Sequence, residues 1–288
     1  MEQEVITEED RISNLPFSLP KLLKEILEGF KTAVHKKNQS IVIVIDGKSG
    51  LGKTTLSGQV GKYCDPSFNL EKVFFTPEDF MKGLTKAKKG DVLVFDEAML
   101  LTSRSAMSKL NKMIIIAMSM MRSKNIIIIF NINSIFDLDK NLALYRADLL
   151  LHVYSTRLTE RGRFCAFFKS FADQRDRIKE LYLNGKKYYS YSRPKSNFQA
   201  RFSSYFVLND EEYEMKKQVG VNSFLEGADR HKHNKDKHSR DLYIRYLSNN
   251  TDLTQEQIAE LGDVSPRTVW NALNKMKYGD EGTEMLGL

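Results

Sequence analysis

Residues 46–55 read DGKSGLGKTT and directly follow the apolar run Ile41–Ile45. Gly47, four further residues and then Gly52-Lys53-Thr54 form the Walker A spacing, in the strand, loop and helix order that the motif requires. Glycines let backbone N–H groups approach phosphate oxygens with no Cβ in the way, and the helix that follows turns its positive end toward the anion. The expected cradle is Gly47, Lys48, Ser49, Gly50, Leu51, Gly52, Lys53, Thr54 and Thr55. Lys53 would meet the β- and γ-phosphates, and the Thr54 hydroxyl would ligate Mg²⁺.

A second cluster lies at residues 91–98, DVLVFDEA, where four apolar residues run into Asp96 and Glu97. An Asp at the carboxyl end of a strand can hold the hydration shell of Mg²⁺ beside Thr54, and the adjacent Glu can polarise an attacking water. Two acids after a strand also suit the start of a helix. Together with the glycine loop, the pair predicts hydrolysis of ATP, with ATP and Mg²⁺ as cofactors.

These residues need a scaffold. Leu19, Leu22, Leu23, Ile26, Leu27, Phe30 and Val34 recur at helical spacing, which predicts an amphipathic helix over 19–36. Five short runs follow, Ile41–Ile45, Val73–Phe75, Val92–Phe95, Ile126–Phe130 and Leu149–Tyr154. Each is apolar on successive residues rather than alternately, so strands buried on both faces of a mainly parallel α/β sheet of about five strands are expected. Ser108–Met121 reads as the helix before the fourth strand.

Composition narrows the class. With 41% apolar and 28% charged residues over 288 positions the chain is globular, not low-complexity. Its two cysteines, Cys64 and Cys165, lie too far apart in sequence for a CxxC motif, and its acidic, polar start does not read as a signal peptide. The apolar runs IVIVI and IIIIF have five residues each, far short of the roughly 20 that cross a bilayer, so no membrane span and a cytoplasmic location are expected.

On these motifs the stretch 40–155 resembles the ASCE division of P-loop ATPases. Members carry a catalytic Glu beside the Walker B Asp and a polar sensor at the tip of the next strand, which here is Asn131. The segment from Asn133 to Tyr154 is similar to the corresponding part of AAA+ and FtsK–HerA–Zot-type ATPases of viruses and mobile elements. That resemblance implies an arginine reaching a neighbouring subunit's site, with Arg146 in the comparable place and Arg104 and Arg122 as alternatives. It also implies a homo-oligomer, in some relatives a ring. Lys48 resembles the extra lysine of ParA-like partition ATPases, although those usually carry two glycines after it and lack the Asp96-Glu97 pair.

Charge is unevenly spread. Residues 155–205 hold 12 Lys and Arg against 4 Asp and Glu, interleaved with aromatic rings from Phe164 to Phe202. Cations suit phosphates and rings suit bases, so this region is a candidate DNA surface through Arg157, Arg161 and Arg163. The alternative places the rings in the core and the charges in solvent.

Residues 254–277, TQEQIAELGDVSPRTVWNALNKMK, resemble a helix-turn-helix. Ser265-Pro266 suits a helix start, and Arg267, Thr268, Asn271 and Lys275 would face a major groove. A winged-helix-like protein contact is the alternative, and the place of Trp270 is open. The domain reading is an N-terminal helical region 1–38, an ATPase core 39–155, a basic-aromatic α/β extension 156–225, a linker 226–238 and an all-α module 239–288. Three function classes remain: a DNA motor, loader or packaging ATPase; an ATP-gated DNA-binding regulator; and an assembly or secretion ATPase of Zot type.

Overall fold

The computed structural model describes residues 15–96, 116, 123–138, 140–157, 160–170, 172–220 and 222, and then 240–241, 243–245, 247–249, 253–261 and 264–274. They divide into two compact units, Met1–Asn222 and Ser223–Leu288. The helix expected at 108–121 and the linker at 226–238 lie outside the described residues.

In the first unit, α1 (Lys21–Lys36) follows Pro20 and buries Leu23, Leu27 and Val34 of the predicted stripe, while Leu22, also placed in it, is exposed. The strands are β1 (Ile41–Asp46), β2 (Val73–Phe74), β3 (Val92–Asp96), β4 (Ile127–Asn131), β5 (Leu149–Tyr154), β6 (Arg163–Phe168) and β7 (Phe198–Arg201). They form one sheet in the order β2-β3-β4-β1-β5-β6-β7. The first five run parallel, and β6 and β7 are antiparallel.

The sheet therefore has seven strands, not the five expected. Only residues 155–162 connect β5 to β6, too few for a parallel crossover, so the chain turns back and pairs antiparallel with the strand it has just left. The basic-aromatic extension thus continues the same sheet.

Helix α2 (Lys53–Cys64) and α1 cover one face, where Leu56, Val60, Leu23 and Leu27 pack with Ile43, Ile45, Val94, Ile129 and Leu151. On the other face Phe80 of α3 (Pro77–Lys86) lies 5.5 Å from Phe95 and 5.9 Å from Phe130, ring centre to ring centre. The Thr76 hydroxyl caps α3 by accepting from Asp79 N at 3.1 Å, with Pro77 at the first helical position. A short α4 (Lys140–Tyr145) precedes β5, and α5 (Arg177–Gly185) lies between β6 and β7. Residues 210–220 are helical.

In the second unit, α6 (Gln255–Leu261) and α7 (Pro266–Asn274) enclose a small core of Ile244, Ile258, Ala259, Val269 and Ala272. Thr254 and Gln257 form a capping box at the start of α6, with Gln257 N on Thr254 Oγ1 at 3.3 Å and Thr254 N on Gln257 Oε1 at 2.9 Å. Ser265 Oγ accepts from Thr268 N at 3.2 Å at the start of α7. Arg267, Trp270 and Asn271 are exposed, so Trp270 is not part of this core.

Candidate active site

Strand order decides which residues meet. Because β4 lies between β3 and β1, Asn131 is in register with Asp96 on one side and with Ile45 on the other. Successive side chains alternate across a strand, so Asp96 and Asn131 share a face, the one that α2 covers. The loop from Gly47 to Gly52 leaves β1 and enters α2 on that same face.

Two glycines are demanded by the backbone. Gly47 has φ 132°, and a Cβ there would lie 2.1 Å from the carbonyl oxygen of Val153, so no side chain fits. Gly52, at φ 99°, turns the chain into α2 and faces the Phe202 ring, which a Cβ would approach to 3.2 Å. Lys48, Ser49 and Gly50 are exposed at the loop tip, and Leu51, Gly52, Thr54 and Thr55 are half-buried.

Lys53 is buried and folds its ammonium back over the loop, donating to the carbonyl oxygens of Gly47 (2.6 Å) and Lys48 (3.2 Å). Thr54 Oγ1 donates to Asp96 Oδ2 at 2.7 Å. An alcohol and a carboxylate held this close form an all-oxygen donor pair that suits a hard cation such as Mg²⁺. Asn131 is 1% exposed; its Nδ2 donates to Ser57 Oγ at 2.9 Å, and its Oδ1 is buried with no hydrogen-bond partner among the described residues. Ser57 Oγ in turn donates to Thr54 O at 3.0 Å, which ties the sensor position to the first turn of α2. An orphaned buried acceptor costs about 1–3 kcal/mol, and a water or ligand donor would remove that cost.

Two features were not read from the sequence. Tyr213, in the helical segment 210–220, is buried and donates to Asp96 Oδ2 at 2.9 Å, with its oxygen 3.5 Å from Thr54 Oγ1. Burial and the Asp96 carboxylate push its phenol pKa upward, which keeps it a donor. The second feature is on the other face, where Asp46, the last residue of β1, is fully buried. It accepts from Ile135 N at 2.7 Å and from Tyr191 OH, and its Oδ1 lies 2.8 Å from His152 Nδ1. The His152 and Tyr191 rings stack at 3.6 Å. Neither Tyr belongs to a local motif, so no spacing signal existed for either.

Glu97, Arg104, Arg122 and Lys275 lie outside the described residues. Arg146 is exposed immediately before β5, and the Asp148 carboxylate accepts from Val42 N at 2.8 Å. Arg157 and Arg161 are exposed, whereas Arg163 pairs with Glu160 at 3.0 Å, an acid it shares with Arg201.

The rings of the basic-aromatic stretch divide. Phe164, Phe167, Tyr182 and Phe202 are core, while Tyr188 is 74% and Tyr189 56% exposed. Lys187 Nζ lies 5.2 Å from the Tyr188 ring centre, and Tyr189 OH donates to Asp137 at 3.0 Å.

No family model matches the sequence, and no curated relative matches it. Among solved structures, the chain is similar to replication initiator DnaA bound to AMPPCP and single-stranded DNA. The identity is 12% and the TM-score 0.34, over 98% of this chain and 95% of that one. Among the described residues no helix is long and apolar enough to cross a membrane.

Proposed function

We propose that this chain is a magnesium-dependent ATPase that acts on DNA, of the motor, loader or packaging type found in viruses and mobile elements. The observation that carries the reading is the convergence of Lys53, Thr54, Asp96 and Asn131 at the carboxyl ends of β1, β3 and β4, with Thr54 Oγ1 2.7 Å from Asp96 Oδ2. Mg²⁺, when bound at Thr54 and Asp96, supplies positive charge to the phosphates. Lys53 exchanges its loop carbonyls for phosphate oxygens, a charge-assisted contact stronger than the one it leaves. Asn131 Oδ1 would orient a water and Glu97 would accept that water's proton as it attacks the γ-phosphorus, while the bond from that phosphorus to the bridging oxygen breaks and ADP leaves. Arg146, exposed ahead of β5, is available to the site of a second copy in a homo-oligomer.

The surface that suits nucleic acid is the turn at 186–195. It holds Lys186, Lys187, Arg193 and Lys195, and no Asp or Glu occurs between Leu181 and Asn209. Its exposed Tyr188 and Tyr189 offer rings on which bases stack.

A second reading, an ATP-gated regulator, is favoured by exposed Arg267 and Asn271 on α7, placed to read base edges. ATPase measured on a panel of single- and double-stranded DNAs separates the two. Stimulation by any DNA supports the motor reading. One tight site without stimulation favours the regulator, and indifference to every DNA favours a Zot-type assembly role.

A further inference from the structure

Among the described residues, Tyr213 is a buried side chain at the nucleotide site to which the nucleotide-site reading gives no task. Tyr213 lies on the helical segment 210–220, where its ring packs at 5.3 Å on Phe75 and 5.4 Å on Phe206. Next to it, Lys216 donates to the carbonyl oxygens of Leu70 (2.8 Å) and Val73 (2.7 Å), which clamps the segment onto the β2 edge of the sheet. Gly220 completes the fit, since a Cβ there would lie 2.8 Å from Phe75 Cβ. The docked segment delivers one hydroxyl to the two residues that would hold the metal, 2.9 Å from Asp96 Oδ2 and 3.5 Å from Thr54 Oγ1.

A carboxylate oxygen accepts through two lone pairs, and on Asp96 Oδ2 both are taken, one by Thr54 and one by Tyr213. The Thr54 bond is compatible with a metal, because the hydroxyl keeps a lone pair for the ion while its proton points at Asp96. The Tyr213 bond competes with one, because its hydroxyl takes the remaining lone pair of Asp96 Oδ2 and lies within reach of both residues that would hold the ion.

We propose that Tyr213 is a competing occupant of the metal site, whose hydroxyl engages Asp96 and Thr54 until Mg²⁺ and nucleotide bind and displace it. Docking of residues 210–220 and loading of the metal then exclude one another. The segment, which runs on toward the second unit, becomes the part of the ATPase domain that senses the nucleotide state.

This inference rests on the ATPase reading, and the test separates their failures. Affinity of the full chain for a fluorescent, non-hydrolysable ATP analogue is measured with Mg²⁺ and with EDTA, for the parent and for Tyr213→Phe. The phenylalanine keeps the ring contacts and removes the competing donor, so Mg²⁺-dependent affinity should tighten by about tenfold, the scale of one hydrogen bond to a charged group. Affinity in EDTA should stay unchanged. Lys216→Met, which loosens the clamp without touching the site, should shift affinity in the same direction.

In the parent, backbone amides of 210–220 should exchange faster with analogue and Mg²⁺ than with analogue and EDTA. Equal or weaker Mg²⁺-dependent affinity of Tyr213→Phe, or equal amide exchange in the two conditions, overturns the competing role and leaves the ATPase reading intact. A parent that binds no nucleotide with Mg²⁺ overturns both.

Discussion

The phenol of Tyr191 donates a hydrogen bond to the buried carboxylate of Asp46, 145 residues earlier in the chain and immediately before Gly47. The same tyrosine ring stacks on His152, whose Nδ1 faces the other oxygen of Asp46. Two positions before Tyr191 stands Tyr189, one of the exposed rings of the basic turn. The proposed nucleic-acid surface and the start of the phosphate loop are thus joined through one side chain.

Tyr191→Phe keeps the stack and removes the donor. Because Asp46 is fully buried, losing one of its partners should destabilise the domain by about 1–3 kcal/mol. It should also weaken nucleotide binding, since Gly47 follows directly. A chemical denaturation curve and a nucleotide titration check both; an unchanged midpoint would show that Ile135 N and His152 suffice.

Lys53→Ala should lose nucleotide binding, whereas Glu97→Gln should bind ATP and turn it over slowly. Lys53 meets phosphates in the ground state, and Glu97 acts on the water in the transition state. Equilibrium binding paired with steady-state turnover separates them. Parental turnover by Glu97→Gln would remove Glu97 from catalysis.

Asn131→Ala should lower kcat by about a hundredfold and leave KM within a few-fold, the pattern of a group that places the reacting water. The orphaned Oδ1 motivates this expectation. A thermal melt alongside shows whether the fold survives loss of the Ser57 contact. An unaltered kcat would make Asn131 only the end of a strand.

The double variant Tyr188→Ala with Tyr189→Ala should weaken binding of a labelled single-stranded oligonucleotide by about thirtyfold or more, since each stacked base is worth about 1–3 kcal/mol. Neutralising Arg157, Arg161 and Arg163 should instead flatten the salt dependence on every sequence, with Arg163 contributing least because Glu160 already pairs with it. Binding at α7 reads out separately. Trp270 is the chain's one tryptophan and is exposed, so quenching of its fluorescence by duplex DNA reports on the second unit alone. Equal oligonucleotide affinity of the tyrosine variant and the parent would remove the 186–195 turn from the interface.

The phosphate loop was legible because its chemistry is local. Gly47, Gly52, Lys53 and Thr54 lie within eight positions, and a glycine with a carbonyl 2.1 Å from its missing Cβ tolerates no substitute. The five parallel strands were equally legible, since burial on both faces requires apolar side chains on consecutive residues. Of the two antiparallel strands, β7 was hidden because it is half-exposed and its residues FQAR carry no apolar run, whereas β6 does carry one, Phe164–Phe168, set among the cations of the basic-aromatic stretch. What only the tertiary structure decided is which distant side chains meet. Inserting β4 between β3 and β1 brings Asn131 beside Asp96, and folding 210–220 onto the sheet edge brings Tyr213 to a carboxylate 117 residues away. A tyrosine whose hydroxyl meets the backbone and one whose hydroxyl meets a distant acid carry the same residue type and no distinguishing motif. Only the packing that buries each ring determines whether its hydroxyl finds a backbone carbonyl, as Tyr182 does, or the buried carboxylate of Asp96, as Tyr213 does.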